Sequence, residues 1–327
     1  MHPGFKMLFA TLFATLGLSV SAQAQSPVPL GAANPFAILA GTAVSNTGTT
    51  AVNGDLGVSP GSSVSGFPPD VVNGTIHAGD ASAAQAQLGL AAAYANASGQ
   101  PVSATIPAEL GGTTLPPGVY ESDTGAFDIS GTLTLDGQGD GNTIFIFKTT
   151  TGLGAGAGSQ INLIKSAQSC NVFWQVGGSA TIGSRSAFRG NVLALADIAS
   201  GSGASVDGRL LARNGTVTLD TDSIGAAHCD TAKPVTGVSG IPKQCTSHNF
   251  KARFEVSDAL GVTSDVSVDG AAVKHSTRKS FSAVINVKGV ATGRHTIKVV
   301  SRDAAGNVRV KKVRFVRCAR SAVLFTG

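Results

Sequence analysis

The sequence predicts a mainly β chain: a three-faced β-helix (solenoid) braced by one long α-helix, followed by a small C-terminal β-sandwich. Three observations lead there. Charged residues make up 13% of 327 positions, against roughly 25% in an ordinary soluble domain, and 42 positions are glycine. A three-strand pattern recurs about every twenty residues through the first two thirds of the chain. Past residue 245 short alternating strands replace it and the charge changes sign.

Scarce Glu and Lys argue against a helical bundle and against a charged disordered chain, and they leave few groups for acid–base chemistry. Residues 1–245 hold nine Lys/Arg and fourteen Asp/Glu, whereas residues 246–327 hold fifteen and five. The overall charge of +5 therefore describes neither part, and the basic pI is no argument for nucleic-acid binding.

At the start, His2 and Lys6 precede an apolar run over 8–20 and a small-x-small site, Ala22-Gln23-Ala24. This reads as a secretory signal peptide over 1–24, since the run is shorter than the ~20 residues a membrane span needs. Export makes Cys170, Cys229, Cys245 and Cys318 disulfide candidates with three possible connectivities. Pairing within each compositional half gives Cys170–Cys229 and Cys245–Cys318. A zinc set of His228, Cys229, Cys245 and His248 has poor spacing for a known zinc pattern.

Residues 25–229 form the expected solenoid. FAILAGTAVSNTGTTAVNG (36–54), DLGVSPGSSVSGFPPDVVNG (55–74), VFWQVGGSATIGSRSAFRG (172–190), NVLALADIASGSGASVDG (191–208) and RLLARNGTVTLDTDSI (209–224) each contain three short strands. Residues 118–163 fit as further, less regular coils. On the closing strand Val52, Val72, Phe188, Val206 and Ile224 face inward, and Asn53, Asn73, Arg189 and Asp207 face out. Opening strands such as 36–39 and 173–176 are largely apolar on both sides and need a cover. The Ala-rich stretch 81–97, N-capped by Asp80 and stopped at Gly99, supplies a helix to provide it.

The middle strand aligns on inward Val44, Val64, Ile182, Ile198 and Val217. Its outward pairs are Ala43/Ser45, Ser63/Ser65, Thr181/Gly183, Asp197/Ala199 and Thr216/Thr218, with neither aromatics nor Lys or Arg. The expected surface is a flat grid of methyls and hydroxyls, which an ordered lattice of water could match.

FAILAGTAVSNTG, NGDLGVSPGSSVSGFPP, GTIHAGDASAAQAQ, NVFWQVGGSATIG, GNVLALADIAS and DGRLLARNGTVTLDTDSI together resemble the microbial secreted ice-binding (antifreeze) β-solenoid family. The resemblance spans roughly residues 30–225. It implies a right-handed β-helix with a helix alongside, and adsorption to an ice surface through one flat face, without catalysis or cofactor. Alternation places that face on Ala43, Ser45, Ser63, Ser65, Thr181, Ala199, Thr216 and Thr218. Asp197, and Asp128 if it falls on the same face, depart from an uncharged grid.

Residues 230–245 read as a linker and 246–327 as a basic sandwich with strands at 250–256, 262–268, 281–288, 296–301 and 308–316. GRHTIKVVSRDAAGN resembles repeats of bacterial surface Ig-like modules. Two readings of its charge stand side by side: attachment to anionic cell-envelope polymers or extracellular polysaccharide, and a solvated spacer. A monomer without metal or nucleic-acid partner is expected. The competing function classes are a non-catalytic adhesin or matrix protein and a β-helix polysaccharide-active enzyme. For the enzyme, Asp136/Asp140 and Asp220/Asp222 are the nearest carboxylate pairs, and both sit where turns are expected. The glycine run 152–158 has no following helix to make a phosphate loop.

Overall fold

The computed structural model describes residues 25–68, 70–258 and 261–319. The expected signal peptide lies outside them, and no helix among the described residues is long and apolar enough to cross a membrane.

Each expected coil carries its three strands. Phe36–Ala40, Ala43–Thr47 and Ala51–Asn53 make one; Gly118–Ser122, Phe127–Ile129 and Thr132–Asp136 make another. Parallel, in-register pairing stacks the coils, but not in chain order. Ile38 pairs with Leu210, Val44 with Val217 and Ile224 with Val52, so the first coil stacks on the last. Along the stack the opening strands begin at residues 104, 118, 145 and 172, continue through 191–194 and 209–212, and finish at 36, 55 and 76. The chain thus leaves one end of the solenoid after Ala78 and resumes at the other end at Ala104.

The α-helix Ala81–Gly99 makes that crossing. Nineteen residues span about 28 Å, nearly six strand spacings of ~4.8 Å. Asp80 caps it, its Oδ1 accepting from the Ala83 N–H at 2.9 Å. The helix passes through Gly99 and ends at extended Gln100, because Pro101 disfavours a helical residue before it. Ala83, Ala86, Leu90, Ala93 and Ala97 form its buried stripe, while Leu88 faces solvent. Beneath the stripe lie Leu39, Leu193, Leu211, Phe173, Ile146 and Val119, the outward side of the opening strands. The doubly apolar strands thus receive their cover, with alanines allowing close approach.

Inside, Tyr120, Phe147 and Trp174 stand in register, with stacked centroids 5.4 and 4.2 Å apart. Val192, Leu210, Ile38 and Leu56 continue the file. Arg209 is fully buried without a carboxylate. Its guanidinium donates to the carbonyls of Asn34 and Ala227 and to Asn191 Oδ1, tying both ends of the solenoid chain to one coil, and burial pushes its pKa down to about 10.

Beyond the solenoid, two antiparallel sheets pack face to face. Val235–Ser239, Phe250–Ser257 and Ser280–Ile285 form one; Ala271–Ser276, Val262–Val268, Gly293–Asp303 and Val308–Arg317 form the other. Phe254, Ile285, Val266, Ile297, Val299 and Phe315 fill the space between them. The stretch expected as a linker therefore contributes a strand, Val235–Ser239, paired with Phe250–Ser257 and fixed by Thr236 Oγ1 donating to Ser301 Oγ at 3.0 Å. The strand expected over 281–288 stops at Ile285, where Asn286 Oδ1 turns back to accept from the Lys288 N–H. Both within-half cysteine pairs are bonded, Cys170–Cys229 and Cys245–Cys318, each with Cα atoms 5.4 Å apart. That removes both cysteines from the zinc set considered above.

Candidate functional site

The middle strands form a separate seven-stranded parallel sheet: Phe127–Ile129, Leu153–Ala155, Ala180–Ile182, Ile198–Ser200, Val217–Asp220, Ala43–Thr47 and Ser63–Ser65. Their inward residues Ile182, Ile198, Val217 and Val44 are wholly buried, which fixes the neighbouring positions outward. Pairing places Asp128, Gly154, Thr181, Ala199, Thr218, Ser45 and Ser65 in a single file across the sheet. Thr181, Ala199, Thr218 and Ser65 are exposed and Ser45 is half-buried. Ser45 Oγ reaches Thr218 Oγ1 at 3.5 Å.

A second file runs beside the first, with Ala43 in register with Ser63 and Thr216 one step before Val217. Here the sequence reading missed an interaction. Asp197 Oδ1 accepts from both the N–H and the hydroxyl of Thr216, at 2.7 and 2.9 Å. The Thr216 hydroxyl is therefore tied to a carboxylate, whereas in the first file Ser45 and Thr218 share a hydroxyl–hydroxyl contact. Only the short distance between two adjacent coils brings these residues together, and no sequence spacing announces it.

The file has two ends of different character. Asp128 does fall on this face, and its carboxylate leans into the space a Cβ at Gly154 would fill. Glu109 bridges to Asp128, with its carboxylate accepting from Ser130 N–H and Oγ. The uncharged part runs over the five strands from Ala180–Ile182 to Ser63–Ser65, about 19 Å at ~4.8 Å per strand.

The other faces are occupied differently. The helix covers the opening strands, and the closing face carries polar and ionic ladders such as Asn73–Asn53 and Arg189–Asp207. Turns 137–143 and 165–171 lead from closing to opening strands, so they lie at the vertex opposite the middle face. The sandwich docks there. The Ala305 carbonyl packs so tightly on Gly141 that a Cβ would overlap it, and Asn307 Nδ2 donates to the Asp230 carbonyl at 2.8 Å. A groove of about 620 Å³ at this junction is lined by Lys165, Gln168, Arg189, Asp207 and His228. Nearby, Asp230, Asp258 and Asp303 bring carboxylate oxygens within 4.8 Å of one another; Asp303 accepts from the N–H and Nδ2 of Asn307.

The carboxylates weighed for catalysis serve the backbone. Asp136 accepts from Lys165 Nζ at 2.6 Å and from the Gln138 N–H, and the Lys165 hydrogen bond holds its pKa below the usual range. Asp140 accepts from the Asn142 N–H. Asp222 is buried, with its oxygens taking the N–H groups of Ala204 and Asp220; burial raises its pKa. It is a coil-to-coil fastener placed at the turn the sequence predicts.

Fold and face together define a helix-braced β-solenoid presenting one uncovered terrace of short side chains. Residues 38–225 match the family described as Ice-binding-like, and the chain belongs to that family. It is 43% identical to an ice-binding protein of Nostoc sp. (strain HG1) over 67% of this chain and 82% of that protein. Among solved structures, the ice-binding protein of the Antarctic ascomycete Antarctomyces psychrotrophicus matches at 39% identity and a TM-score of 0.60, covering 62% of this chain and 100% of its own. An ice-binding protein from an Antarctic biological consortium matches at 42% and 0.62, covering 64% and 95%.

Proposed function

We propose that the protein is exported and adsorbs non-catalytically to ice through the middle face, at Ala43, Ser45, Ser63, Ser65, Thr181, Ala199, Thr216 and Thr218. The observation that carries this reading is the in-register, uncovered file from Thr181 to Ser65 on a rigid parallel sheet. Methyl groups disfavour mobile hydration water, while hydroxyls hold waters in fixed positions. Outward positions spaced ~6.6–6.8 Å along and ~4.8 Å across the strands impose a regular spacing on those waters. A rigid array loses little entropy on engaging a surface, so many weak contacts add up. Ice pinned at many points grows only as curved fronts between adsorbed molecules, which lowers its growth temperature. With Asp128 and Asp197 interrupting the grid, crystal shaping and recrystallisation inhibition are expected more than a large freezing-point depression.

The test is Thr181→Tyr in a nanolitre osmometer. Gly154 and Ala199 flank Thr181, so a ring there stands proud of the terrace without lateral support. Faceting should vanish while the melting temperature stays nearly unchanged. Faceting that persists at parent protein concentration, and persists again in Thr218→Tyr, would move the ice contact off this sheet.

A further inference from the structure

The basic half of the chain concentrates its charge on one surface. In the long hairpin, Arg294, Thr296, Lys298, Val300 and Arg302 lie opposite Val316, Arg314, Lys312, Val310 and Val308. Ile297, Val299 and Phe315, which alternate with them, point into the core. Arg294, Lys298, Arg302, Lys312 and Arg314 thus share the outer face of the four-stranded sheet, with Lys298 directly across from Lys312. The adjoining strand places Thr263, Asp265 and Ser267 on that face, and Asp265 is engaged by His275 at 2.7 Å. The outer face of the three-stranded sheet is more nearly balanced: Lys251 and Arg253 stand beside Glu255, among Ser280, Ser282 and Val284.

Like charges directly opposite one another on a sheet destabilise it, so Lys298 and Lys312 are not placed for stability. Cations on an edge strand can discourage edge-to-edge pairing. That accounts for Val308–Arg317, which is an edge, but not for Arg294, Lys298 and Arg302, whose strand is paired on both sides. The geometry points to a docking surface for a linear acidic polysaccharide. The cations stand ~13.6 Å apart along Gly293–Asp303 and ~6.8 Å apart at Lys312 and Arg314, with ~4.8 Å between the two strands, an array that a chain bearing one carboxylate per sugar can engage at several points. Arginine forks can take such carboxylates in bidentate fashion. Val300, Val308 and Val310 between the cations offer short apolar ground for the C–H faces of sugar rings. The face carries no Phe, Tyr or Trp side chain on which single-stranded nucleic acid would stack. The sandwich is held at the vertex opposite the middle face, so this surface and the ice terrace are set on different sides of the chain.

The full chain is tested for retention on immobilised polygalacturonate, with single-stranded DNA as the second probe. One variant carries Lys298→Ser, Lys312→Ser and Arg314→Ser. A charge-matched control carries Lys233→Ser, Lys251→Ser and Arg253→Ser, all exposed, with Lys251 and Arg253 on the outer face of the three-stranded sheet. Thermal melts confirm that both variants fold. Parent binding should weaken steeply with added salt, the face variant should bind at least ~10-fold more weakly, and the control should change by less than ~2-fold. Three results overturn the assignment: no retention of the parent, equal weakening of both variants, or tighter binding to DNA lost by the face variant. Ice shaping is read in parallel and should be unchanged in both, which separates this surface from the terrace.

Discussion

Removing the carboxylate that interrupts the terrace should improve it. Asp197→Ala deletes the acceptor for the N–H and hydroxyl of Thr216. Both donors sit near water, so the loss of two such bonds costs about 1–1.5 kcal/mol, toward the low end of the usual range. For a solenoid of this size each kcal/mol lowers Tm by ~2–4 °C, giving a fall of about 2–6 °C by calorimetry. In return the second file, from position 197 through Thr216 and Ala43 to Ser63, becomes uncharged and the Thr216 hydroxyl is released. Three strand spacings of ~4.8 Å by one outward repeat of ~6.8 Å is about 100 Å² of added terrace. At ~25 cal/mol per Å² its upper worth is about 2.5 kcal/mol of adsorption. The expected result is stronger faceting and recrystallisation inhibition at lower protein concentration. Asp197→Asn, which keeps an acceptor for the Thr216 N–H without the charge, should fall between parent and Ala. If Asp197→Ala folds but shapes ice less well than the parent, the carboxylate helps to hold the lattice, and the premise that an uncharged grid binds best is wrong.

Two further outcomes bear on stability. Asp222→Asn leaves one oxygen for the two N–H groups of Ala204 and Asp220 and presents an amide donor to the other; buried as it is, this should cost about 1–3 kcal/mol in denaturant titration, and an unchanged midpoint would deny its fastening role. In the sandwich, His295 Nδ1 lies 2.6 Å from Asp269 and its Nε2 2.6 Å from the Ala291 carbonyl, so both nitrogens favour carrying protons. The hydrogen bond to Asp269 raises the His295 pKa against partial burial and the charge of Arg317, and the same bond lowers that of Asp269. The histidine contribution is therefore complete below about pH 6.5 and is lost as pH rises through the raised value. The aspartate contribution is complete above about pH 3.9 and is lost on acidification through the lowered value. Melting of the sandwich between pH 5 and 9 should show a decline that His295→Gln abolishes; a decline of the same size in both proteins would assign it elsewhere.

Much of the fold was legible because alternation is local. Val44, Ile182, Ile198 and Val217 announce their inward side within three residues, and with that the outward identity of Ser45, Thr181, Ala199 and Thr218 follows. The helix was legible from its alanines and from strands that needed a cover. What the sequence hid is pairwise and distant. Nothing within 36–53 says that it stacks on 210–224, since any coil with the same inward residues would accept it. The burial of Asp222 depends in part on that same stacking, which brings Thr50 Oγ1 to its N–H, whereas the Asp197–Thr216 contact joins two coils that follow one another in the chain. Val235–Ser239 was missed because its sequence, VTGVS, has a central glycine and little apolar content. Its strand conformation comes from pairing with Phe250–Ser257.

The order of strands within a coil explains why the middle face is left free. Opening strands must be covered because both their sides are apolar, and the helix that covers them also carries the chain from one end of the stack to the other. Closing strands lead into the next coil through the turns at the opposite vertex. There the Cys170–Cys229 bond joins one such turn to the chain just past the last closing strand, and the sandwich packs against Gly141 and Asp230. Every long connection of the chain is thereby committed to the helix side or to that vertex. The middle strands are only three to five residues long, joined by tight turns and paired in parallel without a register shift across all seven. A sheet built that way has nowhere to place an insertion except at its margins. The flat terrace is therefore a consequence of how the chain is routed, and a surface that must match a crystal gains its rigidity from the same routing.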